Sequence, residues 1–519
     1  MMLSKESRTY KSIVNSIVSL AYYAVTFFLS FFSRRIFLKE LGPEVLGLND
    51  TVGSFMSYMG LAELGIGTAV SFTLYKPLTE KDEEQINEIV SLQGWLYQWV
   101  AWVVIAASVL LLLFFPLLFS DTDVPVWYPY ANYLVLLFSS MLGYFFNYRE
   151  IVLTANQQHY VVQAGIGLCT IIKTIAQLVL VVYVRYKLAC WLLMEVLFAI
   201  AMSAIINYQV KRCFPALAPD KSLGRSLRFK YPDIIKKTRQ LFIHKIGALA
   251  LNNTAPIVIF AYASLTAVTG YKNYMVITNG VSSILNSLFS GMNAGVGLLI
   301  SEGNRDRIWA VFRELFTSRF LIVATSCYCI YRLSDAFIGL WLGKEYILDA
   351  QSVLLIILLF YVLTTRAVVE SYINGYGLFQ DVWAPFAEAV INIGASVVLG
   401  KFWGLPGILG GVLLSQVIII MIWKPLLLFT KGLKRPVSEY ILLYLKHLFL
   451  FGITVVALNR IRLIKIDPCS GFGEFVLGAI VLEGLGIIIL GILLYAFERG
   501  MRDFVKRMLS SVFYAKTAS

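Results

Sequence analysis

The chain is written as long apolar runs cut by short polar interruptions. Runs of about 20 residues recur from Ser16 nearly to the end, each long enough to cross a hydrocarbon core of about 30 Å as a helix. Strand-like alternation is absent, so a membrane barrel is not expected. The pattern predicts fourteen spans, at 12–33, 45–75, 89–119, 129–149, 161–184, 188–210, 240–263, 272–299, 313–337, 350–373, 380–400, 404–427, 438–458 and 473–497. Several are longer than a perpendicular crossing needs, which implies tilt or helix that continues past the bilayer. Pro116, Pro256 and Pro385 mark expected kinks or ends.

Composition agrees. Of 519 residues, 58% are hydrophobic and 14% charged, where a soluble domain carries about 25% charged residues. The expected class is an all-α polytopic membrane protein. Six cysteines lie scattered, mostly through apolar runs and without metal spacing, and His159, His244 and His447 stand far apart, so no metal or cofactor is expected. The basic N-terminus leads into an apolar run without a small-residue cleavage site, and reads as a retained first helix.

A net charge of +13 would suit nucleic acid if it were spread evenly. Instead Lys and Arg collect in particular connections, as membrane topology makes them do. Residues 211–239 alone hold Lys211, Arg212, Lys221, Arg225, Arg228, Lys230, Lys236, Lys237 and Arg239. Arg499, Arg502, Lys506, Arg507 and Lys516 follow the last span. The bias places both termini in the cytoplasm, and no nucleic-acid partner is expected.

The layout also repeats. Residues 40–59 fall against 263–282, with Gly47 opposite Gly270; 80–89 fall against 302–311; and 148–162 fall against 368–382, pairing Glu150 with Glu370. Repeat symmetry of this kind is typical of transporters. It predicts an N-lobe of six spans at 1–210, a basic cytoplasmic linker at 211–239 and a C-lobe at 240–430. Residues 431–519 add two unmatched spans and a basic tail. Six helices per lobe make the repeats parallel, with a central cavity that opens to either side by rocking.

The stretch RRIFLKELGPEVLGLNDTVGSFMSYMGLAELGIGTAVSFTLYKPL resembles the polysaccharide-exporter branch of the multidrug/oligosaccharidyl-lipid/polysaccharide (MOP) flippase superfamily. Arg34 and Arg35 end the first span, Leu41-Gly42 precede Gly47, and a G-L-A-x-L-G-I-G-x-A run extends from Gly60 to Ala69. WLGKEY at 341–346, INGYG at 373–377 and GLPGILGG at 404–411 are similar to that family too. The resemblance implies a MATE-like fold and a Wzx-type flippase of the bacterial inner membrane. It would move undecaprenyl-pyrophosphate-linked oligosaccharide for O-antigen, capsule or exopolysaccharide synthesis. The chain is expected to act as a monomer among membrane lipids, with polysaccharide polymerase machinery as a further partner.

Such a substrate needs a hydrated cavity and cations for its phosphates. Arg34 and Arg35 read as interfacial anchors or as cavity cations, and Lys173, in the middle of its span, as a cavity residue. Lys245 belongs either to the basic linker or to the cavity mouth, and Arg319 reads as interfacial. Asn252, Asn253 and Asn286, in a cluster with Asn279 and Asn293, would serve as interhelical glue or meet sugar hydroxyls. Arg366 and Glu370 have ion-pair spacing on a helix, suiting a local or gate pair. Glu195 and Glu388 lie in apolar text, each paired with a neighbouring cation or carrying a proton. Glu63 interrupts a run rich in Gly and Ala, where inserting a carboxylate costs about 3 kcal/mol or more. It is read as an ion-coupling carboxylate or as half of an ion pair.

The rival readings are a MATE-like multidrug or cation antiporter and a lipid II flippase. A polymerase or glycosyltransferase would carry a large outer loop, whereas 120–128, 264–271 and 338–349 are short. No Walker A pattern is present, so the chain is read as a transporter without ATPase chemistry of its own.

Overall fold

The computed structural model describes residues 8–507 except 64, 121, 157, 290–291, 379–380, 382 and 462–467. The side chains at 8–17, 19–21, 23–24, 61–62, 159, 240–253, 287–288, 292–295 and 298 also lie outside the described set. Among the described residues every regular element is a helix. In chain order the main helices are α1 Arg8–Leu41, α2 Pro43–Met59, α3 Ile66–Glu80, α4 Glu83–Leu113, α5 Trp127–Phe145, α6 His159–Tyr183, α7 Lys187–Cys213, α8 Gly224–Lys230 and α9 Pro232–Tyr262. They continue as α10 Leu265–Leu288, α11 Met292–Ser301, α12 Arg305–Trp341, α13 Ala350–Thr365, α14 Ala367–Gly375, α15 Trp383–Gln416, α16 Val437–Arg460 and α17 Phe472–Phe497.

Every predicted span has a helical counterpart, and eight stretches of described helix are long and apolar enough to cross a membrane. Other spans are interrupted: the second is divided into α2 and α3, and the eighth into α10 and α11. Pro116 opens a short turn that follows α4, Pro385 stands in the first turn of α15, and Pro256 lies inside α9, which runs through it. Large apolar side chains remain open to the surroundings, Trp99, Trp102, Leu113 and Phe402 among them. That is the surface expected of helices solvated by lipid.

The backbone carries the repeat seen in the sequence. Lys81 and Gly303, the residues preceding the caps of α4 and α12, both take positive φ, 56° and 75°. Asp82 then caps α4 by accepting from the Gln85 amide at 2.9 Å, and Asn304 caps α12 by accepting from the Arg307 amide at 3.1 Å. The break after α5 at Phe146 is not repeated at the matching position, where Arg366 keeps helical geometry (φ −57°, ψ −26°) between α13 and α14. The start of this helix, not side-chain identity, is what the two halves share.

The chain divides into two compact units, Met1–Thr269 and Gly270–Ser519. In the first, one core joins α3, α4 and the 211–239 segment through Val70, Leu74, Ile89, Val90, Leu227 and Ile234. A second core gathers Leu48, Val52, Phe115, Tyr128 and Tyr133. Here α2 lies against the start of α10 so closely that a Cβ on Gly47 would stand 2.0 Å from the Leu265 carbonyl oxygen.

The second unit is built on α12. Phe312 and Phe316 pack with Tyr372, Phe429 and Tyr440, and Phe320 packs with Leu450 and Leu490. The unmatched pair α16–α17 is fastened to α12 by polar contacts. Glu483 accepts from Thr325 (2.8 Å) and Ser326 (3.1 Å), Tyr328 donates to Asn459 (2.7 Å), and Glu498 pairs with Arg313 and Lys446. In α15 the chain reverses at Gly404, φ 58°. The two arms touch through glycines: a Cβ on Gly411 would meet the Ser396 amide at 2.3 Å, and one on Gly407 the Leu399 carbonyl at 2.1 Å.

Candidate functional site

Two helix breaks in the first unit face one cavity. The glycine-rich sequence after Met59 cannot sustain an α-helix. It tightens into a 3₁₀ turn, Gly60–Glu63, and α3 restarts after Gly65 at φ 98°. Only glycine takes that conformation without strain. On the neighbouring span, α5 stops at Phe145, Phe146 leaves helical geometry (φ −122°), and a 3₁₀ turn, Asn147–Glu150, follows.

Between the breaks lies a cavity of about 320 Å³, lined by Glu63, Gln93, Tyr97, Tyr144, Asn147 and Glu150 among others. The Tyr97 hydroxyl donates to Glu63 at 3.3 Å, and its ring meets that of Tyr144 edge-on at 5.6 Å. Asn147 Oδ1 accepts from Ser203 (2.6 Å) and Asn207 (3.0 Å), which fixes its amide. Gln93 is 1% exposed, and its Oε1 has no hydrogen-bond partner among the described residues. Neither Glu63 nor Glu150 has a cation within ion-pair distance among the described residues. The cavity thus brings together two carboxylates and the open amide oxygen of Gln93.

The second unit holds another unsatisfied polar set. Glu388 is 6% exposed and its Oε1 lacks a partner among the described residues; Asn392, one turn on, is fully buried with neither amide atom bonded. Gln416 Oε1 is likewise buried and open. The close register of the α15 arms at Ser396 and Gly411 carries Asn392 to the level of Ser415 and Gln416.

The remaining predicted site residues are placed as follows. Arg34 pairs with Asp50 at 3.3 Å and reaches the Thr269 carbonyl at 3.4 Å, while Arg35 is exposed. Lys173 pairs with Glu195 at 2.8 Å. Arg366 and Glu370 pair at 3.5 Å. Asn286 accepts from Arg319 at 2.9 Å. Arg319 itself is 2% exposed, not interfacial; it donates to the Thr364 carbonyl at 2.7 Å and lies over the Phe289 ring at 4.9 Å. The side chains of Lys245, Asn252 and Asn253 fall outside the described residues.

Sequence reasoning missed Gln93, Tyr97, Asn392 and Gln416 as site residues and used Glu150 only as a repeat marker. The available signal was helical spacing: Gln93 with Tyr97, and Glu388 with Asn392, are each four residues apart in otherwise apolar text.

No protein-family model matches the sequence, and no curated protein matches it. Solved structures do. "Lipid II flippase MurJ, inward closed conformation" aligns with 93% of this chain and 99% of its own, at 14% identity and a TM-score of 0.60. An inward-facing multidrug resistance MATE family transporter of the MOP superfamily aligns with 77% of this chain and 94% of its own, at 13% identity and a TM-score of 0.53. The chain therefore has the fold of the MOP-superfamily membrane transporters.

Proposed function

We propose that the protein is a MOP-type flippase that moves oligosaccharide carried on undecaprenyl pyrophosphate across the bacterial cytoplasmic membrane by alternating access. The observation that carries this reading is the fold shared with a lipid II flippase over 93% of the chain. The family motifs at Gly60–Ala69 and 341–346 point the same way. Arg34, Arg35 and Lys245 are proposed to meet the pyrophosphate, and Asn252, Asn253 and Asn286 the sugars. Glu63, with Glu388 as a second candidate, is proposed to bind the coupling ion, and the Arg366–Glu370 pair to act as a gate. Membrane lipids surround a monomer whose termini are cytoplasmic, and the partner taking over the product is polysaccharide polymerase machinery.

One observation favours a second reading, a cation antiporter. The Glu63–Glu150 cavity is acidic and unpaired among the described residues, which suits a cationic cargo as well as a coupling ion. Deleting the gene and asking on which leaflet lipid-linked sugars accumulate separates the two. Accumulation on the cytoplasmic leaflet, reversed by the wild-type gene, supports the flippase. Unchanged sugar export together with sensitivity to organic cations supports the antiporter and overturns the flippase.

A further inference from the structure

The basic segment that follows α7 is a folded strap with two unlike faces. Its inner face is fully engaged on α4 and α5. Asn87 brackets it, donating to the Ala216 carbonyl (3.2 Å) and accepting from the Ala218 amide (2.8 Å). The Asp220 amide donates to Ser91 Oγ at 2.8 Å, and Lys230 and Tyr231 both donate to Glu88. A Cβ on Gly224 would stand 2.1 Å from Trp95 Cβ, so only glycine lets α8 approach this closely. Lys221 donates to the Phe145 carbonyl at 2.9 Å, the group left open where α5 breaks, and its ammonium lies 4.6 Å from the Tyr148 ring centre.

The outer face has no such engagement. Arg225, Arg228, Lys236 and Arg239 are exposed and have no acidic partner among the described residues. Beside them in the chain stand Leu223 at 50%, Phe229 at 72% and Ile235 at 40% exposure. Residues 211–239 carry nine basic side chains against two acidic ones, Asp220 and Asp233.

We propose that this outer face is a docking surface for the anionic phospholipid headgroups of the leaflet it borders. Three observations choose that occupant. The strap is continuous with α7, a helix long and apolar enough to cross a membrane, and with α9 on the other side, so it is tethered at the end of a spanning helix. Its charge is complementary to phosphate, and arginine presents a planar donor fork to it. Its exposed aromatic and aliphatic side chains are interspersed with cations, the composition of an interfacial segment and not of a water-facing loop. Because the inner face holds the α5 break through Lys221, lipid composition would then bear on the wall of the acidic cavity. The proposal is independent of what the transporter carries.

The test is hydrogen exchange of the amides at 222–231 in the full-length protein, reconstituted in nanodiscs of pure phosphatidylcholine or with added phosphatidylglycerol. Phosphatidylglycerol is expected to slow exchange by about fivefold for each arginine engaged. Arg225→Gln with Arg228→Gln is expected to abolish that difference while exchange at 86–92 of α4 stays unchanged. Equal exchange in the two lipids would overturn the proposal, and the wild-type comparison decides this without any substitution. Slowing by inorganic phosphate in phosphatidylcholine nanodiscs, to the same degree, would overturn it in favour of a soluble phosphate ligand.

Discussion

Lys173 Nζ lies 2.8 Å from Glu195 Oε2 across the seam of α6 and α7, and Gln177 donates to the other carboxylate oxygen at 2.9 Å. The acid and the cation that each looked anomalous in apolar sequence answer one another. Both side chains are about a fifth exposed (20% and 21%). Lys173→Met should destabilise the first unit by about 1–3 kcal/mol, because it leaves Glu195 without its cation in an apolar setting. Adding Glu195→Gln should restore most of that loss. Thermal unfolding in detergent reads both, and a double variant no better than the single would show that the pair is not the stabilising unit.

Gly65 holds φ 98° at the restart of α3. Gly65→Ala should cost about 1–2 kcal/mol from the left-handed backbone alone, and should also turn Glu63 away from Tyr97. The expected result is a transport defect larger than the stability loss explains, measured as transport per folded molecule. Full activity with lowered stability would separate the break from the function.

Gly411 and Ser396 set the distance between the arms of α15. Gly411→Leu must force the arms apart, at a cost of about 1–3 kcal/mol or more, since the obstructing atoms are backbone and cannot rotate away. Cysteine cross-linking across the hairpin should then slow markedly, while the first unit keeps its exchange protection.

The Glu40–Lys187 bridge, 2.5 Å long, lies beyond the predicted spans. The hydrogen bond from Lys187 holds the Glu40 carboxyl below the usual carboxylate range. A carboxylate with a lowered folded pKa contributes stability that is present above its ordinary value, near 4.3, and is lost as pH falls through the folded value. Glu40→Gln should therefore lower stability at neutral pH and flatten the acid limb, the two profiles converging as pH falls through the folded value. The Glu44 carboxylate, which accepts from the Asp123 amide at 2.9 Å, remains to hold the adjoining loop.

Lys221 closes the open carbonyl at the end of α5, and burial together with the nearby Arg149 lowers its pKa. Lys221→Met should leave that carbonyl unbonded and speed hydrogen exchange at 145–150 relative to the rest of α5. Unchanged exchange there would mean that the strap does not support the break.

The fold was largely legible, because apolar run length dictates where helices must lie in a bilayer. The repeat was legible as spacing, and the structure explains why identities did not match. What recurs is the positive φ at Lys81 and Gly303 and the caps at Asp82 and Asn304, and several residue types can meet each requirement. The site was less legible. Periodicity cannot tell that Lys173 spends its charge on Glu195, or that Arg319 turns inward to Thr364, since both depend on which neighbouring helix each residue faces. Gln93 was invisible for the opposite reason: a neutral amide in a span attracts no notice until its oxygen is found buried and unbonded.

The position of the acidic cavity has an electrical consequence. From Ile66 to Tyr75, where the predicted span ends, the helix that restarts beside Glu63 runs ten residues, about 15 Å, or half of a hydrocarbon core about 30 Å thick. A coupling ion bound at Glu63, as proposed above, would thus cross about half of the membrane voltage. At 100 mV that is worth about 1.2 kcal/mol per charge, roughly a sevenfold change in occupancy. The resting potential would act on this site as a ligand does, filling or emptying it without any change in ion concentration.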